Sequence, residues 1–163
     1  MNVKVSSIDK LADYEQPLQV DLAVKGEMAS FTGKRLIIPG DIFEVNAKPS
    51  FPHMKRDIPV YFEYPFLNQD AVRVSFPASL KVESIPPADK LPFQNFAAYD
   101  ISATSTPTSV TVRRNYSLGA IGFLPKEYSE LRSFYTKMET DDQGSVVLIS
   151  APNLAANPAT AAN

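Results

Sequence analysis

The 163-residue chain has no cysteine. That absence excludes a disulfide scaffold, a thiolate zinc site and a cysteine nucleophile. It leaves the redox compartment open, because a count of zero suits cytosol and periplasm alike. There is one histidine, His53, so any imidazole base or ligand has to be that residue. No run comes near the roughly 18 apolar residues of a membrane-spanning helix. Met1 to Lys10 has no apolar h-region, so no secretory signal is expected in this chain. Sixteen basic residues face eighteen acidic ones, for a formal charge of -2. The basic surplus of a nucleic-acid module is missing. The densest basic groups, Lys55-Arg56 and Arg113-Arg114, are pairs and are expected on a solvated surface.

What is present points to a folded β domain. Leu, Ile, Val and Phe supply 44 of the 163 residues, above the roughly 20% of a disordered chain. Fourteen prolines against six glycines leave little room for long helices, because a helix interior rejects proline. Short extended segments between turns follow. Leu18, Val20, Leu22 and Val24 alternate with polar residues, the period of a half-buried strand. Leu36-Ile37-Ile38 precedes the turn dipeptide Pro39-Gly40. Ile58 to Tyr64 alternates again, and Pro59 marks that strand as an edge or a bulge. Asn68-Gln69-Asp70 reads as a turn, followed by Val72, Val74 and Phe76 on one face. Leu80 to Ser84 and Phe96 to Ala103 continue the pattern. After the polar turn Ser105 to Thr108, Val110, Val112, Arg114, Tyr116 and Leu118 share one face.

Pro125 to Met138 departs from this pattern and reads as the one helix. Pro125 suits the first helical position, Glu127 and Glu130 favour the positive N-terminal end, and Tyr128, Leu131, Tyr135 and Met138 form a stripe that Phe134 widens. Asp141 to Gly144 reads as a turn, and Val146 to Ile149 as the closing strand. The expected fold is all-β: an immunoglobulin-like antiparallel β-sandwich of about 7–9 short strands with one late α-helix at about 125–138. Residues 1–15 form a lead-in and 16–150 the single sandwich domain. Residues 151–163 form an Ala/Asn/Pro tail, too poor in apolar side chains to order itself.

Few residues carry candidate chemistry. His53 has no second histidine and no glutamate at helical spacing, so a surface loop position is expected for it. Asp141-Asp142 lacks the alternating ligands and closing glutamate of a calcium loop. Asn115-Tyr116-Ser117 matches a glycosylation sequon but falls inside an expected strand. Tyr61, Tyr64 and Phe66, with Phe51 and Phe62 near in sequence, form an aromatic group close to a strand end. Aromatic rings there either stack on sugars or anchor a partner, or else pack the core. Tyr61, Tyr64 and Phe66 are therefore the candidate binding residues. No phosphate loop and no nucleophile elbow occurs. No catalytic, metal or cofactor residue is expected.

One stretch resembles a known family. Phe51-Pro52 is followed by Arg56-Asp57-Ile58-Pro59-Val60-Tyr61-Phe62-Glu63-Tyr64-Pro65, then Phe76-Pro77 and Leu80-Lys81-Val82-Glu83-Ser84-Ile85-Pro86. Later come Glu127-Tyr128 to Tyr135 and Val146-Val147-Leu148. This order resembles the C-terminal β-domain of bacterial transglutaminase-like proteins, over roughly residues 50–150 and more loosely 14–50. Leu80 stands where an aromatic is common, and the tail after Ser150 is no part of the pattern. The resemblance implies an exported, periplasmic or secreted protein with a papain-like Cys-His-Asp core and this domain last. The core's cysteine has no counterpart here, so no catalytic residue carries over. The expected role is a non-catalytic accessory domain whose partner is that core or an envelope protein. A stand-alone carbohydrate- or protein-binding module of the envelope is the rival, with a glycan as its ligand.

Overall fold

Five alternate residues between Val110 and Leu118 are all buried, and the fold is built around that strand. The computed structural model describes residues 2–45 and 47–151. Twelve strands lie among them: β1 Asn2–Asp9, β2 Gln19–Lys25, β3 Ser30–Thr32, β4 Arg35–Pro39, β5 Val60–Tyr61, β6 Phe66–Ser75, β7 Leu80–Ser84, β8 Asp89–Phe93, β9 Ala97–Thr106, β10 Ser109–Leu118, β11 Gly122–Phe123 and β12 Ser145–Ser150. A 3-10 turn at Pro125–Glu127 leads into the helix α1, Tyr128–Asp142.

The strands form two four-stranded antiparallel sheets, ordered β6-β10-β9-β8 and β3-β4-β12-β7, and two two-stranded ladders, β1-β2 and β11-β5. The domain is mostly β, sandwich-like, with its helix late in the chain. In the first sheet β10 pairs residue for residue with β6 and β9. Its inward face meets α1, which buries Tyr128, Leu131, Phe134, Tyr135 and Met138, the stripe its spacing predicts. Val146 and Leu148 of β12 belong to the same apolar cluster, so one core joins both four-stranded sheets and the helix.

The entry to the helix follows its sequence signals. Pro125 fills the first position without loss, because that backbone N–H would have no helical partner. Glu127 Oε2 accepts the backbone N–H of Leu124 at 2.7 Å. The exit differs from expectation. The helix runs four residues beyond Met138 to Asp142, through acids the sequence suggests as a turn. Gly144 then returns the chain into β12. At that return the Gly40 N–H donates to the Gly144 carbonyl at 2.8 Å, and a Cβ on Gly40 would stand 2.8 Å from that oxygen. Only glycine permits the approach.

Other expectations shift as well. Asn68-Gln69-Asp70 is no turn but the middle of the ten-residue β6, where Asp70 lies opposite Arg114. The long strand expected over Ile58–Tyr64 shrinks to Val60–Tyr61, paired with Phe123 and Gly122. The lead-in 1–15 contains a strand, β1, and β3 and β8 lie in stretches read as connections. Twelve strands of two to ten residues stand where about seven to nine are expected, and of the additional ones β3 and β11 are too short to carry a readable periodicity. β2, expected half-buried, is exposed along its length. The tail expected from residue 151 lies outside the described residues, apart from Ala151, whose N–H donates to Ser79. No helix among the described residues is long and apolar enough to cross a membrane.

Leu131 is fully buried between helix and sheets. Leu131→Ala is expected to cost about 2–5 kcal/mol, while Thr136→Ala on the exposed face of α1 is expected to stay within about 0.5 kcal/mol of the parent. Urea unfolding of the two variants checks this.

Candidate functional site

The three candidate aromatics divide between solvent and core. Tyr61 is 76% exposed and Tyr64 63%, whereas Phe66 is half-buried against Tyr116 at a ring separation of 5.2 Å. Strand alternation accounts for Tyr61. In the β5-β11 ladder Val60 and Phe123 pair inward, so Tyr61 and Gly122 pair outward. A Cβ on Gly122 would touch the Tyr61 ring at 3.4 Å. The glycine therefore lets the ring lie down against the ladder. The Phe62 N–H donates to Ile121 O at 2.8 Å and fixes the next step. Ile58, Ile121 and Leu124 are exposed close by in the chain. Tyr61, Tyr64 and these aliphatic residues each expose apolar surface to solvent. Such a surface can stack on a sugar or seat an apolar side chain.

Phe51 and Phe62, from the same sequence neighbourhood, turn inward. Phe51 meets Tyr135 edge-on at 4.8 Å, and Phe62 stacks parallel to Tyr135 at 6.3 Å. The loop carrying Phe51 and His53 is pinned across α1. Arg132 Nε donates to Phe51 O at 3.1 Å and the Tyr128 hydroxyl to His53 O at 2.7 Å. The His53 side chain is exposed, as expected of a loop residue. Asn115 of the sequon spends both side-chain ends inside the sheet: Nδ2 donates to Asp100 at 2.8 Å and Oδ1 accepts from Gln69.

The densest charge lies inside. Arg114, expected on a solvated surface, is 3% exposed and sits in the inward face of β10. Its Nε donates to Asp142 Oδ1 at 2.8 Å and its Nη1 to Asp70 Oδ2 at 3.0 Å, while Glu44 Oε1 stands 3.8 Å from Nη2. The Tyr99 hydroxyl donates to the same Asp142 oxygen at 2.8 Å. The guanidinium also lies 5.7 Å from the Tyr99 ring centre. Burial works to lower the Arg114 pKa, but the Asp142 hydrogen bond and charge outweigh it, so the guanidinium is held above its ordinary range. Burial, then the Asp142 carboxylate, pushes the Tyr99 phenol up. Tyr99 and Arg114 are thus held in their ordinary neutral and charged forms. The arrangement resists proton transfer and does not favour acid–base work.

Asp41 is the misfit. It is fully buried; its Oδ1 accepts the Phe43 N–H at 2.8 Å, but Oδ2 has no hydrogen-bond partner among the described residues. Burial pushes its carboxyl up. The Phe43 N–H opposes this, the charge of Asp70 adds to it, Arg114 opposes, and Asp142 adds again. Burial likewise raises Glu44. Among the described residues no group of three or more His, Cys, Asp or Glu is placed to hold a metal ion. The sequence did carry a signal for this cluster. Arg114 alternates with Val110, Val112, Tyr116 and Leu118, and a charge inside an apolar alternation has to find buried partners. Nothing in the sequence says which carboxylates those are.

Fold and surface together define a β-sandwich-like domain with an exposed aromatic edge and a buried ionic staple. At residues 34–148 the chain matches DUF3858, described as a domain of unknown function with a solved structure. With that match over most of its length, the chain belongs to this family. Among solved structures it is similar to a crystal structure described as a "putative protease" from Parabacteroides distasonis. The TM-score is 0.51 and the identity 18%, covering 60% of this chain and 19% of that one. At that identity the likeness is one of fold, and the chain spans about a fifth of that protein's length. No curated protein matches the chain.

Two variants test the cluster. Arg114→Met leaves carboxylates buried without their cation and is expected to destabilise by about 3–5 kcal/mol. Asp41 behaves oppositely. Its folded-state pKa lies above the unfolded value, so its contribution is complete below the ordinary carboxyl range near pH 3.9. That contribution is lost as pH rises through the folded value. Asp41→Asn removes the loss and turns the unpartnered oxygen into a donor. Its Tm at pH 7 is expected to rise by a few degrees, on the scale of about 1 kcal/mol for this chain length, with a flatter Tm profile between pH 4 and 7. An unchanged pH profile would remove Asp41 from the account.

Proposed function

We propose that this domain is a non-catalytic accessory module of an exported, transglutaminase-like bacterial protein. It would act in the periplasm or outside the cell, packing on or positioning a papain-like catalytic core. One observation carries the reading: the similar stretch in the solved neighbour is 19% of a much longer chain. The run from Arg56 to Pro65, the Lys81-Val82-Glu83 strand with its Pro86 stop, and the Glu127-Tyr128 helix support the transglutaminase-like context. The structure supports a positioning role by its rigidity. The helix is fixed to the first sheet through Arg114 and Asp142, and the loop around Phe51 is strapped across it by Arg132 and Tyr128. Without cysteine the chain offers no thiol for acyl transfer.

A second reading rests on the exposed rings of Tyr61 and Tyr64. In it the domain is a stand-alone module that binds a glycan or an envelope protein. One experiment separates the two. An antibody against this chain, used on the cells that express its gene, is expected to detect a polypeptide far larger than 17.9 kDa. The purified 163-residue chain is expected to show no peptide hydrolysis and no transamidation. A single band at 17.9 kDa, with oligosaccharide binding that Tyr61→Ala weakens at least tenfold while the fold is kept, would replace the first reading with the second. Turnover that survives repurification would overturn both.

A further inference from the structure

The hairpin β1-β2 has an apolar face that nothing in the described chain covers. Three cross-strand pairs make it up: Val3 with Val24, Val5 with Leu22, and Ile8 with Val20. A bulge between Val5 and Ser7 inserts one residue, so Ile8 returns to the side of Val3 and Val5. The other face is polar. Lys4 pairs with Ala23 and Asp9 with Gln19, and the Ser7 hydroxyl donates to Asp21 at 2.7 Å. The six apolar side chains remain 38% to 54% exposed. Among the described residues each strand pairs only with the other, leaving two unpaired edges. An isolated two-stranded hairpin is marginal in water, and a dry stripe with its register set by a bulge has the build of one layer of a packed pair.

We propose that this stripe is an interdomain docking surface, and that its occupant is an apolar face of a neighbouring domain in the larger polypeptide that carries this one. The inference rests on the accessory-domain reading. Three observations choose this occupant. The hairpin lies outside the span of the family match, which begins at residue 34. The stripe carries no charge or hydrogen-bonding side chain, so an occupant with polar groups there would lose their hydration without return. Its area is too small for free association. Six half-exposed aliphatic residues offer on the order of 450 Å² per face, so two stacked copies would bury at most about 900 Å², against roughly 1,200 Å² for a specific complex. A covalent tether removes that shortfall by raising the effective concentration to about the millimolar range. The stripe also continues into the body of the domain. Val24 lines a largely apolar groove of about 380 Å³ together with Met28, Pro39, Ile42 and Phe43, with Glu27 as its one charged residue.

Hydrogen exchange on the full-length polypeptide from its own gene, and on the 163-residue chain alone, tests the proposal. The amides of Val3–Ile8 and Val20–Val24 are expected to exchange at least 100-fold more slowly in the full-length protein. Leu22→Asp is expected to abolish that protection there, and Ala23→Asp, on the polar face, to leave it. Equal exchange in a full-length protein that does exist overturns the docking surface and leaves the accessory reading standing. Protection in the short chain that grows with concentration, with a doubled mass, gives the stripe to a second copy instead. A native product of only 17.9 kDa overturns the occupant and the accessory reading together.

Discussion

The contact on which the rest of the structure depends is the ion pair between Arg114 and Asp142. It fastens the C-terminal end of the only helix among the described residues to the central strand of the first sheet, with both side chains at 3% exposure. Neither residue would stay there alone. A buried guanidinium without a partner is prohibitively costly. An acid in the last turn of a helix opposes the helix dipole, and that turn has no basic residue to relieve it. Asp70 and Glu44 extend the pairing, and Tyr99 donates to the same Asp142 oxygen. The worth of such a pair lies less in net stability than in the arrangement it permits. The helix is held at one height along β10, because a shift of one turn would strand the arginine.

The aromatic cluster completes what the ion pair begins. Phe93, Phe123, Phe134, Phe62, Tyr116 and Tyr135 meet edge-to-face or stacked across the gap between helix and strands. The hydroxyls of Tyr116 and Tyr135 bond to each other, which satisfies two polar ends inside an apolar core. Near those rings the chain is fixed, and the surfaces left free are peripheral: the Tyr61 and Tyr64 edge at one ladder and the β1-β2 stripe at another. A rigid middle with apolar margins suits a domain that holds other parts in place, which is the role proposed for it.

Asp41 shows how local geometry can work against stability and still persist. It follows Gly40 in the chain, beside that residue's close crossing with Gly144, and is itself buried. One oxygen caps the loop at Phe43, and the other has no donor among the described residues, in a neighbourhood already rich in carboxylates. The cost is local because Arg114 moderates the charge around it.

The sequence by itself determined a large part of the secondary structure. Alternation placed β2, β7, β9 and β10, and the stripe from Tyr128 to Met138 placed the helix; on β10 and the helix the periodic face is the buried one, whereas β2 stays exposed. Composition and the ordered motifs from Arg56 to Leu148 located the chain in a β-domain context, and the family match at 34–148 covers all of that span. Tertiary structure decided what periodicity cannot encode. Asn68 to Asp70 looks like a turn until β10 supplies a ten-residue partner and an arginine opposite Asp70. Asp141-Asp142 looks like a helix stop until Arg114 makes Asp142 a buried partner. Tyr61 parts from Val60 and Phe62 because a two-residue ladder with Gly122 sets its facing. In each case the deciding term is a non-local partner whose charge or backbone is absent from the local sequence.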